Sequence, residues 1–154
     1  MARERPWPYR IALAFLAKLQ EIGHDETAWL TKPKLVALGT ESLLRNAPRP
    51  AIVIDLAGPR EEMLSGLDQH GESCALEMTM IAEDSKDPLG ALHDLIADVR
   101  RCVRQNEALQ VDGVQVTLRD IGWGRVQVQG EAVAGLGAAV VVARAFYESD
   151  EENP

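Results

Sequence analysis

The sequence predicts an α/β (α+β) fold: a mainly antiparallel sheet of about four to five strands with two main helices packed on it. Three observations carry this prediction. Two segments, 8–22 and 87–105, repeat apolar residues at helical spacing. Several runs rich in Val, Ile and Leu alternate apolar and polar residues. These runs lie close together in sequence, which antiparallel pairing satisfies most easily. At 154 residues the chain suits one domain with a core large enough to need no disulfide.

The elements follow in order. Ile11, Phe15, Leu19 and Ile22 line one helical face, Pro8 suits the first turn and Gly23 the stop. Residues 24–49 are irregular; Pro33 and Gly39 frame a short apolar stretch, and Thr40 could cap a short helical turn. Pro48 and Pro50 lead into an extended run, "AIVID", at 51–55. Residues 58–72 show little periodicity and read as a long connection. "CALEMTMIA" at 74–82 alternates as a strand.

The clearest helix follows, with Asp87 as N-cap, Pro88 at its first position, and Leu89, Leu92, Ile96, Val99 and Val103 in one stripe. Two alternating strands, 114–120 and 125–131, are separated by a turn-like Gly122-Trp123-Gly124. The last strand, 138–147, is apolar on both faces over Ala138–Ala143, so it is expected near the centre of the sheet with cover on both sides.

Composition restricts function. The net charge is −8, so phosphate is repelled at long range and general nucleic-acid binding is disfavoured. The charge is uneven: residues 1–49 carry +3, 50–87 carry −7, 88–147 balance and 148–154 carry −4. The longest uncharged apolar run, between Glu131 and Arg144, is too short and glycine-rich to span a bilayer, and the N-terminus lacks a signal-peptide pattern. Cys74 and Cys102 form no CxxC pair and read as small buried apolar residues in a reducing, cytoplasm-like solution.

Chemistry-bearing patterns are weak. His24, His70 and His93 are scattered and make no metal signature. No GxSxG occurs, and Cys102 falls beside an apolar stripe, which favours an inert thiol over a nucleophile. Gly135-Leu136-Gly137 lacks the third glycine and the following helix of a dinucleotide fingerprint. The acids Glu61, Glu62, Glu83 and Asp84 read as surface carboxylates. No metal, cofactor or enzymatic activity is expected.

What remains is a segregated surface. Arg100, Arg101 and Arg104 crowd the end of the second helix, where they either complement the helix dipole or meet an acidic partner surface. Glu61, Glu62 and Asp68 in the acidic stretch, and Glu148 and Asp150 in the tail, would supply such a surface on a neighbouring copy. Arg144 is the one charge inside the last strand and is expected at a sheet end or a subunit boundary.

Taken in order, "YRIALAFLAKLQEI", "RPAIVIDLAG", the charged loop, "CALEMTMIAED", "DPLGALHDLIADVRRCVRQ" and the aromatic-to-acidic ending "ARAFYESDEENP" resemble the tail terminator proteins of long-tailed bacteriophages, the minor tail protein U type. The likeness spans roughly residues 8–150 and lies in segment order rather than in a signature motif; residues 24–49 depart from it. It implies one domain over 1–147 followed by an acidic tail, 148–154. It further implies a ring of subunits, typically a hexamer, on the head-proximal end of the tail tube. Such a ring stops tube growth and forms the surface for head–tail joining. The implied partners are other copies, the tail tube protein and the head–tail connector proteins. DNA would pass through the ring without sequence-specific binding, and no membrane or cofactor is involved. The implied location is the tail or neck of a virion, assembled in the host cytoplasm. Two other classes stay open: another neck or tail-completion protein, and a non-phage oligomeric α+β binding module.

Overall fold

The computed structural model describes residues 5–25, 27–39, 48–62, 71–126 and 135–148, with the backbone alone for 57–62 and 71. Among the described residues two helices and six strands follow one another as α1 (Trp7–Leu19), β1 (Leu35–Leu38), β2 (Ala51–Glu62), β3 (Gly71–Glu83), α2 (Pro88–Gln105), β4 (Ala108–Val111), β5 (Val114–Arg125) and β6 (Leu136–Glu148).

The sheet order is β1-β2-β3-β6-β5-β4. The strands curve into a half-barrel, and the fold is mostly β. This corrects the expected sheet of four to five mainly antiparallel strands: there are six, and the sheet is mixed, because β1 pairs parallel to β2 from Leu35↔Ala51 to Leu38↔Ile54. The two added strands are four residues each, too short to show alternation, and parallel pairing leaves no local trace in sequence.

β4 and β5 form a tight hairpin through Asp112 and Gly113, both at positive φ, as a two-residue turn requires. Gly122-Trp123-Gly124 is not a turn. It lies within β5, where the pairing with β6 slips between Asp120 and Gly122 in a bulge, and Gly122 adopts φ 141° there. β2 continues through residues 58–62 and β3 begins at Gly71, so much of the expected connection is strand. Residues 63–70, with Asp68, lie outside the described residues, as do 40–47, 127–134 and the tail 149–154.

α2 forms as its sequence dictates. Asp87 caps it by accepting from the Gly90 N–H at 2.9 Å, and Pro88 occupies the first turn. Its stripe of Leu92, Leu95, Ile96, Val99, Cys102 and Val103 is buried against β3, β5 and β6. α1 buries Trp7, Ile11, Ala12, Phe15 and Leu19. It reaches both margins of the sheet, with Arg10 bonded to Asp112 in the β4–β5 turn at 3.2 Å and Gln20 to the Val36 carbonyl at 3.5 Å.

Only one face of the sheet is fully covered. Ile52, Ile54, Leu76, Met78, Met80, Leu118, Ala139, Val141, Ala143 and Ala145 form the core with the helices. On the opposite face Val140, Val142, Arg144 and Phe146 are half-buried. β6 is therefore central, as expected, but the two-sided cover expected for it is not present among the described residues.

Candidate functional site

The arginine cluster divides. Arg100 Nε meets Asp120 Oδ2 at 2.6 Å, and Arg104 lies 3.7 Å from the same oxygen. Arg101 points elsewhere: its guanidinium donates to the Ala28 carbonyl and stands over the Trp29 ring at 5.4 Å. Two of the three cations are thus bound to a carboxylate within the chain. Asp120 is 9% exposed, and its Oδ1 is buried with no hydrogen-bond donor among the described residues. A groove of about 520 Å³ opens beside it, lined by Arg100, Arg104, Glu107, Arg119 and Asp120.

The groove runs along an open sheet edge. β4 covers β5 only from Val114 to Thr117, and one further bond joins the Leu118 N–H to the Glu107 carbonyl at 2.9 Å. From Arg119 to Arg125 no described strand lies on the outer side of β5. On the outer face a shallow trough of about 490 Å³ follows the same stretch, floored by Val140, Val142, Gly122 and Gly124. Ile121 at 58%, Trp123 at 38% and Val126 at 42% exposure flank the edge, and Trp123 rests edge-on against His93 of α2 at 5.2 Å. Long apolar open edges invite pairing with another chain.

The opposite margin is open in the complementary way. β1 covers β2 only from Ala51 to Ile54, so among the described residues β2 from Asp55 to Glu62 has no strand on its outer side.

Charge divides across the same sheet. Asp55 stands opposite Glu77 in the β2–β3 ladder, and Arg119 stands opposite Arg144 in the β5–β6 ladder. Like charges directly opposite each other oppose pairing by up to about 1 kcal/mol. Arg144 donates to the Ser73 hydroxyl at 3.2 Å, and exposed Arg119 lies 5.8 Å from the Phe146 ring. Of the residues expected at an interface, Glu61 and Glu62 pair in backbone register with Ser73 and Glu72, and Glu148 ends β6 exposed, opposite Gly71. Arg144 lies inside the central strand, opposite Ala75 and Arg119. Asp68 and Asp150 fall outside the described residues.

Sequence reasoning passed over Arg119, Asp120, Ile121 and Arg125. The available signal was the failure of alternation after Leu118, which marks a bulged strand. Burial pushes the Cys102 thiol up to about 12, with Glu21 adding to the shift, so it stays protonated and unreactive at neutral pH. Among the described residues no group of His, Cys, Asp and Glu is placed to hold a metal. No described helix is long and apolar enough to cross a membrane.

No family model and no curated protein matches the sequence. Solved structures do resemble it. A chain from the virion of a native gene transfer agent particle aligns at TM-score 0.49 and 14% identity, over 73% of this chain and 78% of that one. A second solved chain, whose name describes no function, aligns at TM-score 0.54 and 12% identity, over 92% of this chain and 96% of its own. The second likeness, at 12% identity, is one of fold.

Proposed function

We propose that this chain is a structural, non-catalytic protein of a phage-like particle and, within that class, a tail terminator. In this reading copies of the chain form a ring on the head-proximal end of the tail tube, stop its growth and present the surface that the head connector meets. The observation that carries the reading is the polarity of the sheet. One open margin adjoins an acidic ladder and the other a basic one, so a single subunit carries two different and complementary margins. Such margins favour head-to-tail contacts, which close into rings when the rotation permits. The order of sequence segments, which resembles that of tail terminators over roughly residues 8–150, supports this kind of ring over others.

The test is electron microscopy of the purified protein mixed with tail tubes. Density capping one tube end is expected, together with an arrest of tube elongation in solution. Decoration along the tube wall, or no binding, overturns the terminator role. Binding to isolated connectors but not to tubes would instead favour another neck protein.

A further inference from the structure

The ring reading leaves open which surfaces meet. We infer that the sheet itself continues from copy to copy: the open stretch of β5, Arg119–Arg125, receives the open stretch of β2, Asp55–Glu62, of a second copy. The inference rests on the ring reading for its biological setting and on the edges for its geometry.

Direction permits the contact. β2, β3, β6 and β5 alternate antiparallel, so β2 and β5 of one subunit run in opposite senses. Across the sheet Arg119–Arg125 lies level with Ala57–Ile52, half of which β1 covers, so the neighbour must also be displaced along the strands for its open stretch to meet that of β5. A neighbour of the same sense, so displaced, places its β2 antiparallel to β5. Main-chain N–H and C=O groups would join the two edges, as in strand addition, on either side of the irregular stretch between Ala57 and Glu61, where Pro59 has no N–H to donate. Among the described residues, the short lengths of β1 and β4 leave both stretches without a strand on the outer side.

Charge selects the occupant. The β5 side presents exposed Arg119 and Arg125, with Arg104 62% exposed in the adjoining groove. The β2 stretch carries three acids, Asp55, Glu61 and Glu62, against one base, Arg60, in sequence. Pairing two β5 edges about a two-fold axis would instead set arginines against arginines, because the strand is basic at both ends of its open stretch. A two-fold dimer through this edge is disfavoured, and the head-to-tail contact is favoured. Ile121 and Trp123, exposed along the edge, would be covered by the incoming strand.

The experiment uses the full chain in two charge-reversed forms, Arg119→Glu with Arg125→Glu, and Glu61→Arg with Glu62→Arg, with unchanged circular dichroism as the folding control. Native mass spectrometry and light scattering read assembly. Each form alone is expected to associate about tenfold or more weakly than wild type, since like charges then meet at every junction. Mixed one to one, the two forms are expected to reassemble in alternation, because each now complements the other at both edges. Amides of Ile121–Arg125 should gain protection from hydrogen exchange on assembly. Wild type that assembles while either reversed form does so equally well, or without protection of these amides, overturns the edge contact and leaves the ring reading standing. Wild type that stays monomeric both in concentrated solution and on tail tubes overturns the ring reading and the edge contact together.

Discussion

Asp98 lies on α2 at 2% exposure, yet it carries a carboxylate into the interior. It accepts from the Leu30 N–H at 3.1 Å, the Thr31 N–H at 2.7 Å and the Thr31 hydroxyl at 2.5 Å. Burial of such a group is tolerated only when its lone pairs are used, and here three donors converge on it. One turn along the helix, Arg101 binds the Ala28 carbonyl. Together they staple the stretch 28–31, which has no helical or strand pattern, onto α2. Asp98→Ala should therefore lower stability by about 2–4 kcal/mol, and Asp98→Asn by less, because the amide keeps one acceptor oxygen. Urea unfolding followed by circular dichroism checks both; equal stability of Asp98→Ala and wild type would refute the role. This staple was not legible in the sequence. A carboxylate on a helix is usually solvated, and only the fold shows which loop comes to meet it.

At the scale of elements, α2 was the most legible part of the chain. Its cap, its proline and its stripe all agree, and consistency of that kind is what makes a local reading reliable. The helix sits close on β6, and the reason is Gly137. A Cβ placed there would stand 3.1 Å from Leu92 Cδ2, 3.2 Å from Leu92 Cβ and 3.3 Å from the Pro88 carbonyl. The glycine pattern at 135–137 is thus a packing device at the start of a strand, which agrees with rejecting it as a nucleotide loop. Gly137→Ala should force the first turn of α2 outward and cost about 1–3 kcal/mol. Asp87→Ala, which removes only the cap, should cost about 1 kcal/mol. Thermal unfolding of the two variants gives the comparison, and Gly137→Ala as stable as wild type would show that the helix yields freely. β5 was less legible. Its bulge breaks the alternation at Ile121, and two glycines around Trp123 imitate a turn although the strand continues. β4 was overlooked, although Asp112-Gly113 between two short apolar runs is a hairpin signal.

Over the whole molecule, the sequence showed that charge was segregated but not how the segregation maps onto the sheet. The strand order β1-β2-β3-β6-β5-β4 brings acidic residues of β2 and β3 to one half and basic residues of β5 and β6 to the other. Neither the parallel β1 nor this order is written in local periodicity, because both depend on long-range pairing. In the proposed contact two forces would act at the β5 edge, and salt separates them. Attraction between Arg119 or Arg125 and an acidic strand acts through partly exposed charges, and screening shortens its reach from about 10 Å at 0.1 M salt to about 3 Å at 1 M. Contact through Ile121, Trp123 and Val126 alone would be unaffected by sodium chloride or strengthened by sulfate. If the charged edges choose the partner, self-association measured by sedimentation should weaken as sodium chloride rises through that range. The charge-reversed pair mixed one to one should weaken as well, since positions 119 and 125 still meet opposite charges at 61 and 62 in its junctions. Association that holds or grows with salt would assign the edge to apolar contact, and the sign of the charges would then no longer favour the proposed head-to-tail contact.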